Sequence, residues 1–159
     1  YANEYQQIRR ATRKDIRTIM VLIRQAIKTE ELSMRTYQDV ESRIQDYYLF
    51  EIDGHAVGCV ALHLSEDKSS GELACLFVTC HYENRGIGRK LIGFIEERAR
   101  ALKLKKIIVL STQTYTYFKS KGGFVEGSQE DLTPERLEKY HQSKRRSRIL
   151  VKHLEENKN

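Results

Sequence analysis

The stretch HYENRGIGRKL, residues 81–91, decides how this chain is read. It follows the apolar run LACLFV (73–78) and opens a strongly amphipathic segment. Gly86 and Gly88 bracket one isoleucine, and Arg85 and Arg89 flank the pair. Successive backbone N–H groups in a turn that ends on a helix N-terminus bind anions. Glycine lets the backbone approach phosphate oxygens with no Cβ in the way. The stretch therefore reads as a cradle for a diphosphate at the end of a strand. It lacks the lysine–serine/threonine pair of a Walker turn, and it comes too late, after the wrong topology, for a first Rossmann turn. A ligand-free strand–helix connection shows the same glycines, so the neighbouring segments have to decide.

Downstream of the turn, Ile87, Leu91, Ile92, Ile95, Ala99 and Leu102 form one helical stripe. Upstream, GELACLFVTC (71–80) reads as a strand after the polar loop SEDKSSG (65–71). YYLFEI (47–52) and HAVGCVALHL (55–64) read as a hairpin turning at Asp53-Gly54. Before them come a strand over 5–11, a capping box at Thr12 and Asp15, and a helix carrying Ile16, Ile19, Met20, Ile23 and Ile27. A break at TEELSMR (29–35) precedes a short helix with Val40 and Ile44. Beyond the central helix, KKIIVLST (105–112) is a strand, TYTYFKSK (114–121) a short helix, and GGFVEG (122–127) a turn into a strand. LTPERLEKYHQ (132–142) is a helix with Pro134 near its start, and RRSRILVKHL (145–154) a last strand. The expected order is β-α-α-β-β-β-α-β-α-β-α-β. It describes one mixed α/β (α+β) domain over 1–159, with a mostly antiparallel sheet flanked by helices.

The 159 residues are 40% hydrophobic and 31% charged, with nine glycines and one proline, which excludes a low-complexity or disordered class. No apolar run is long enough to span a membrane, and YANEYQQIRRAT lacks the apolar core of a signal peptide. The expected location is cytoplasmic. A net charge of +6 favours an anionic partner, either nucleic acid or a small molecule. The run KRRSR (144–148) leads straight into the apolar ILV and has no stacking aromatic pattern beside it, which argues against nucleic acid. Cys59, Cys75 and Cys80 fit no metal spacing and read as reduced core thiols, so no metal is expected.

Together, the β-α-α-β-β-β start, YENRGIGRKLI, LKKIIVLST and FKSKGGF resemble the GCN5-related N-acetyltransferase (GNAT) family over nearly the whole chain. The resemblance implies that Arg85, Gly86, Ile87, Gly88 and Arg89 hold the diphosphate of acetyl-coenzyme A. It also implies that the strand at Leu76, Phe77 and Val78 pairs with the pantetheine arm. The family pattern opens on arginine or glutamine, where this chain has Glu83. IRRAT, GELACLFV, LSTQTYTYF, GGF and RRSRIL further resemble the acetyltransferase domain of bacterial N-acetylglutamate synthases. That resemblance implies acetyl transfer to the α-amino group of L-glutamate, the first step of arginine biosynthesis, by direct attack in a ternary complex. It leaves room for a homo-oligomer, or for an amino-acid-kinase-like domain, fused or separate.

An α-ammonium cannot attack a thioester, so a general base must first take its proton. From the residues alone Glu72 reads as a surface strand glutamate; the resemblance makes it the base. The developing oxyanion needs a preorganised donor, and a backbone N–H on Cys75–Val78 can supply one. A Cys75 nucleophile would need His63 or His81 beside it. The tyrosine that many relatives use to protonate the leaving thiolate falls on Lys119. The resemblance places Ser111 in that role, with Tyr115 and Tyr117 as fallback donors; a plain strand-end cap is the other reading of Ser111. Glutamate carries two carboxylates and calls for at least two cationic or bidentate donors. By resemblance these are Arg35, Arg136, Arg145 and Ser147, with Cys75 at the same site. In an extended strand Arg145 and Ser147 share one face, and Arg146 and Arg148 the other. Another amino acid such as aspartate is the nearest rival acceptor. Protein N-termini, lysines and polyamines would want an acidic cleft, against which the C-terminal arginines speak.

Overall fold

Arg9 bridges the first strand, its neighbour and the turn that leads into the first helix, and so fixes the start of the fold. Its guanidinium donates to both carboxylate oxygens of Asp15 at 2.7 and 2.8 Å and to Oε1 of Glu51 at 3.0 Å. Asp15 also accepts from the Thr12 backbone N–H at 2.7 Å, which completes the expected capping box. The computed structural model describes residues 4–28, 35–112, 114–143 and 147–154.

The elements follow in the expected order. They are β1 (Gln6–Arg10), α1 (Ile16–Lys28), α2 (Tyr37–Ser42), β2 (Tyr47–Ile52), β3 (His55–Leu64), β4 (Ser70–Val78), α3 (Ile87–Ala101), β5 (Lys106–Ser111), α4 (Tyr115–Gly122), β6 (Val125–Glu126), α5 (Pro134–Gln142) and β7 (Arg148–His153). The strands form one sheet in the order β1-β2-β3-β4-β5-β7-β6. Every neighbouring pair is antiparallel except β4 and β5. That parallel ladder has three rungs, Ser70–Lys106, Gly71–Ile107 and Glu72–Ile108. Beyond Glu72 the two strands part, and a wedge opens in the middle of the sheet.

A bulge in β4 sits next to the wedge. Ala61 faces Ala74 and Cys59 faces Phe77, so Cys75 and Leu76 together oppose Val60. Cys75 takes up the extra residue at φ 55°. The extra residue reverses which side chains face which layer. Leu73 points to the α3 side and Cys75 to the α1 side. After the bulge Leu76 and Val78 pack on the α3 side, and Phe77 on the α1 side.

Three apolar clusters fill the layers. Ile87, Leu91, Ile92, Ile95 and Ala99 of α3 bury against the sheet together with Phe118 and Phe124. Ile16, Ile19, Leu22, Ile23 and Ala26 of α1 cover the opposite face of β2–β4. α5 packs Leu137 and Tyr140 over Ile108, Ile149 and Val151.

Several expectations need correction. Ser70 and Gly71 are strand, not loop, because they form the first parallel rungs. Ile44 belongs to a 3₁₀ turn rather than to α2. Cys80 is exposed, because β4 ends at Val78 and the cysteine falls on the next turn; only Cys59 and Cys75 are core thiols. Arg145 and Arg146 lie outside the described residues. Among the described residues no helix is long and apolar enough to cross a membrane.

Chiefly through the Arg9 hydrogen bonds, Asp15 is held at about 2, below its ordinary 3.8. A carboxyl depressed in the folded state stabilises above its unfolded value and loses that contribution as pH falls through the folded one. Asp15→Asn is therefore expected to lower Tm at pH 7 by about 2–4 °C, the scale for one lost cap in a chain of this size. The gap to the parent should narrow between pH 4 and 2 in thermal melts. A gap that stays constant down to pH 2 would count against the ion pair.

Candidate active site

The turn after β4 builds the first half of the site. Asn84 and Gly86 both adopt left-handed backbone, at φ 63° and 78°. Gly86 is the N-cap of α3, and no side chain caps that end. The helix's first N–H groups and its positive dipole end thus have no side-chain cap, an arrangement that attracts negative charge. Gly88 has a separate reason to be glycine: a Cβ there would lie 2.7 Å from Oη of Tyr117. α4 thereby comes close over the turn. A cleft opens between them, lined by Leu76, Val78, Gly86, Gly88, Arg89 and Tyr117. Phe77 and Ile87 border it as well, while their side chains are buried. Burial pushes the Tyr117 phenol up, so it stays protonated and able to donate.

Arg89 is exposed and borders this cleft. Arg85 does not border it as the spacing suggests. Its guanidinium pairs with Glu4 and stacks on Tyr82, 5.3 Å from the ring centroid. Beside it, Nζ of Lys90 donates to Oε1 of Gln6 at 2.9 Å. These bonds tie the flank of the turn to the N-terminal strand.

The second half lies on the opposite face, where β4 and β5 separate. Glu72 pairs with His63 across β3 and with Ile108 across β5. A polar cleft opens here, lined by Arg35, His63, Glu72, Thr133 and Arg136 among others. Arg136, in the first turn of α5, grips Glu72 as a fork: Nε donates to Oε1 and Nη2 to Oε2 at 3.3 Å. Two residues expected to act separately, a base and a carboxylate binder, are in contact. The pair is partly shielded, with the Glu72 side chain 15% exposed.

Arg35 reaches the same cleft from ahead of α2. Its Nη1 donates to Oη of Tyr47 at 3.1 Å and to Nε2 of His63 at 3.2 Å. Accepting there leaves the imidazole proton on Nδ1, which donates to Oδ2 of Asp46 at 2.8 Å. His63 and Asp46 were not assigned to the acceptor site from sequence. The usable signal was a histidine in phase with the inward Cys59 and Ala61 of one strand.

Ser111 ends β5 with its hydroxyl engaged, accepting from the Thr114 N–H at 3.0 Å and bonded to the Thr114 hydroxyl at 3.0 Å. That is the geometry of a strand-end cap, and Thr114 is the member of the pair that borders the apolar cleft. Ser147 precedes β7, and its carbonyl accepts from Oη of Tyr140 at 2.8 Å. Arg148 lies over Tyr115, 4.2 Å from the ring centroid. Cys75 is buried with its thiol 3.8 Å from Oη of Tyr47, and burial pushes the thiol up. Its Sγ is no nucleophile, and contact with a ligand would have to run through the backbone. Among the described residues no cluster of side chains is placed to hold a metal.

A β4 that splits from β5, beside an uncapped helix N-terminus, is the frame of one enzyme class. The chain belongs to the acetyltransferase (GNAT) family, whose model matches residues 13–120. Within that class it is similar to the amino-acid acetyltransferase of Pseudomonas aeruginosa, at 35% identity over 151 residues, or 95% of this chain and 34% of that protein. The amino-acid acetyltransferase of Neisseria meningitidis is 33% identical over 92% of the chain and 34% of its own length. Among solved structures, N-acetylglutamate synthase from Neisseria gonorrhoeae, complexed with coenzyme A and N-acetyl-glutamate, superposes with a TM-score of 0.90 at 32% identity. The match covers 96% of this chain and 36% of that one. The chain thus spans about a third of the length of these relatives.

Thiol labelling tests the cysteine assignment. One thiol, Cys80, should react quickly in the native protein, and all three only in denaturant. Cys80→Ser should abolish the fast phase; a fast phase that survives would place Cys59 or Cys75 at the surface.

Proposed function

We propose that the chain is one acetyltransferase domain that moves the acetyl group of acetyl-coenzyme A to the α-amino group of L-glutamate. The observation that carries this reading is one cleft in which Arg35 and Arg136 lie with Glu72 at the split between β4 and β5. Two guanidiniums suit an acceptor with two carboxylates, and a carboxylate base suits its ammonium. The relatives' names and the ligands of the Neisseria gonorrhoeae structure support the same chemistry.

The residues fit the cofactor. The uncapped N-terminus of α3, the left-handed Asn84 and Gly86, and Arg89 would hold its diphosphate. The free edge of β4 past Glu72 offers backbone groups to the amide-bearing arm. Bound there, the cofactor supplies the activated acetyl group.

On the acceptor side, an incoming carboxylate competes with Glu72 for Arg136. Glu72 is then free to take the ammonium proton, directly or through water. The Tyr117 hydroxyl, held against Gly88 at the cofactor cleft, is the better placed donor to a leaving thiolate. The Ser111 hydroxyl is already bonded to Thr114, so its part is to fix the loop before α4. Arg145 and Ser147 remain candidates for the second carboxylate.

Initial rates of coenzyme A release with glutamate, aspartate, glutamine, lysine, spermidine and a short peptide test the acceptor. Saturable turnover on glutamate alone is expected; preference for a cationic acceptor would overturn the carboxylate clamp. Glu72→Gln should lower kcat by roughly 10²–10⁴-fold, with the KM for acetyl-coenzyme A little changed. A rate equal to that of the parent would remove Glu72 as the base.

A further inference from the structure

The reaction outlined above does not use His63, which lines the acceptor cleft, or Asp46, the carboxylate bonded to it. They stand in line behind Arg35. Asp46 follows α2 in a 3₁₀ turn, and His63 lies near the end of β3, directly across from Glu72. The His63 side chain is 9% exposed and that of Asp46 30%. The chain of bonds runs from Oδ2 of Asp46 to Nδ1 of His63 at 2.8 Å, then from Nε2 of His63 to Nη1 of Arg35 at 3.2 Å. Tyr47 closes it from the side. Its hydroxyl accepts from the same Nη1 at 3.1 Å, and its ring meets the imidazole edge to face at 5.7 Å between centroids.

Geometry gives this arrangement a direction. Both acceptors engage Nη1, and among the described residues Nε and Nη2 of Arg35 have no hydrogen-bond partner. An arginine gripped on one nitrogen keeps the rest of its fork for a planar, two-oxygen ligand. Arg35 needs such a grip more than Arg136 does, because Arg136 rides on a helix and is pinned by Glu72, whereas Arg35 precedes the short α2. Asp46 fixes the tautomer that makes His63 an acceptor, as outer carboxylates do for metal-binding histidines.

We propose that Asp46 and His63 are positioning residues that hold Arg35 for the acceptor's carboxylate, setting acceptor affinity without touching the acceptor. The proposal rests on the reading of Arg35 as a carboxylate binder. Preorganising a flexible side chain removes ordering cost from binding, so the effect belongs in the KM for the amino acid.

The experiment is a steady-state cycle with Arg35→Ala, His63→Phe and the double variant, each against glutamate and against acetyl-coenzyme A. His63→Phe keeps a ring beside Tyr47 but removes the acceptor atom. It should raise the glutamate KM about tenfold and leave kcat and the acetyl-coenzyme A KM within about twofold. In the Arg35→Ala background the same change should add nothing, since the residue it acts through is gone. His63→Gln, which returns an amide oxygen near the position of Nε2, should recover most of the loss. Asp46→Ala, at a more exposed position, should raise the glutamate KM several-fold, and it serves if His63→Phe fails to fold. An unchanged glutamate KM in His63→Phe or Asp46→Ala overturns the proposal. So does an equal further loss in the Arg35→Ala background, or a rise in both KM values. A glutamate KM unmoved by Arg35→Ala alone would instead overturn the carboxylate-binder reading, and the two failures are thereby told apart.

Discussion

Three parallel rungs between β4 and β5 are the constraint on which the rest of the structure depends. A longer ladder would close the sheet, and with it the route between the two faces. A shorter one would leave β5, β7 and β6 without a hold on the strands before them. Stopping at Glu72 makes the same strand a structural member at one end and an open edge at the other. Unpaired backbone groups in the middle of a sheet cost free energy unless water or a ligand meets them. The open edge and the cleft beside it are therefore one feature: a gap that a polar, extended ligand can fill.

The bulge at Cys75 and Leu76 completes that division. Before it, β4 sends Glu72 to the polar cleft. After it, Leu76 and Val78 turn toward α3 and the apolar cleft. Two chemistries, one of charge and one of apolar contact, are served by residues four apart on one strand. A regular strand would place residues 72 and 76 on the same face.

The order of elements was legible because hydrophobic periodicity changes cleanly between strands and helices in this chain. The turn was legible too: glycines two apart, after an apolar run and before an amphipathic helix, mark a tight strand–helix connection. What escaped was pairing over long sequence distances. Nothing near Arg85 announces that Glu4 will take its charge, and nothing near Glu72 shows that Arg136, 64 residues on, will grip it. The bulge carries no residue signal either, since Cys75 takes a left-handed conformation that cysteine does not favour. Cys80 was misplaced for a local reason: β4 ends with the apolar run at Val78, two residues short of a cysteine that the expected strand included. His63 was noticed only as a partner for a nucleophile, because its real neighbours, Asp46 and Arg35, meet it only once the β2–β3 and β3–β4 registers are known.

The ties at the edge of the turn bear on the order in which the molecule assembles. The Arg85–Glu4 and Lys90–Gln6 bonds close loops of 81 and 84 residues. α3 can nucleate from its own neighbours, whereas contacts across such loops form only after the chain between them has been gathered in. The turn before α3 is made of local residues, yet its flank is clamped by the N-terminal edge. The flank of the turn is thus completed late in folding, when the N-terminal edge docks and not when the central helix forms.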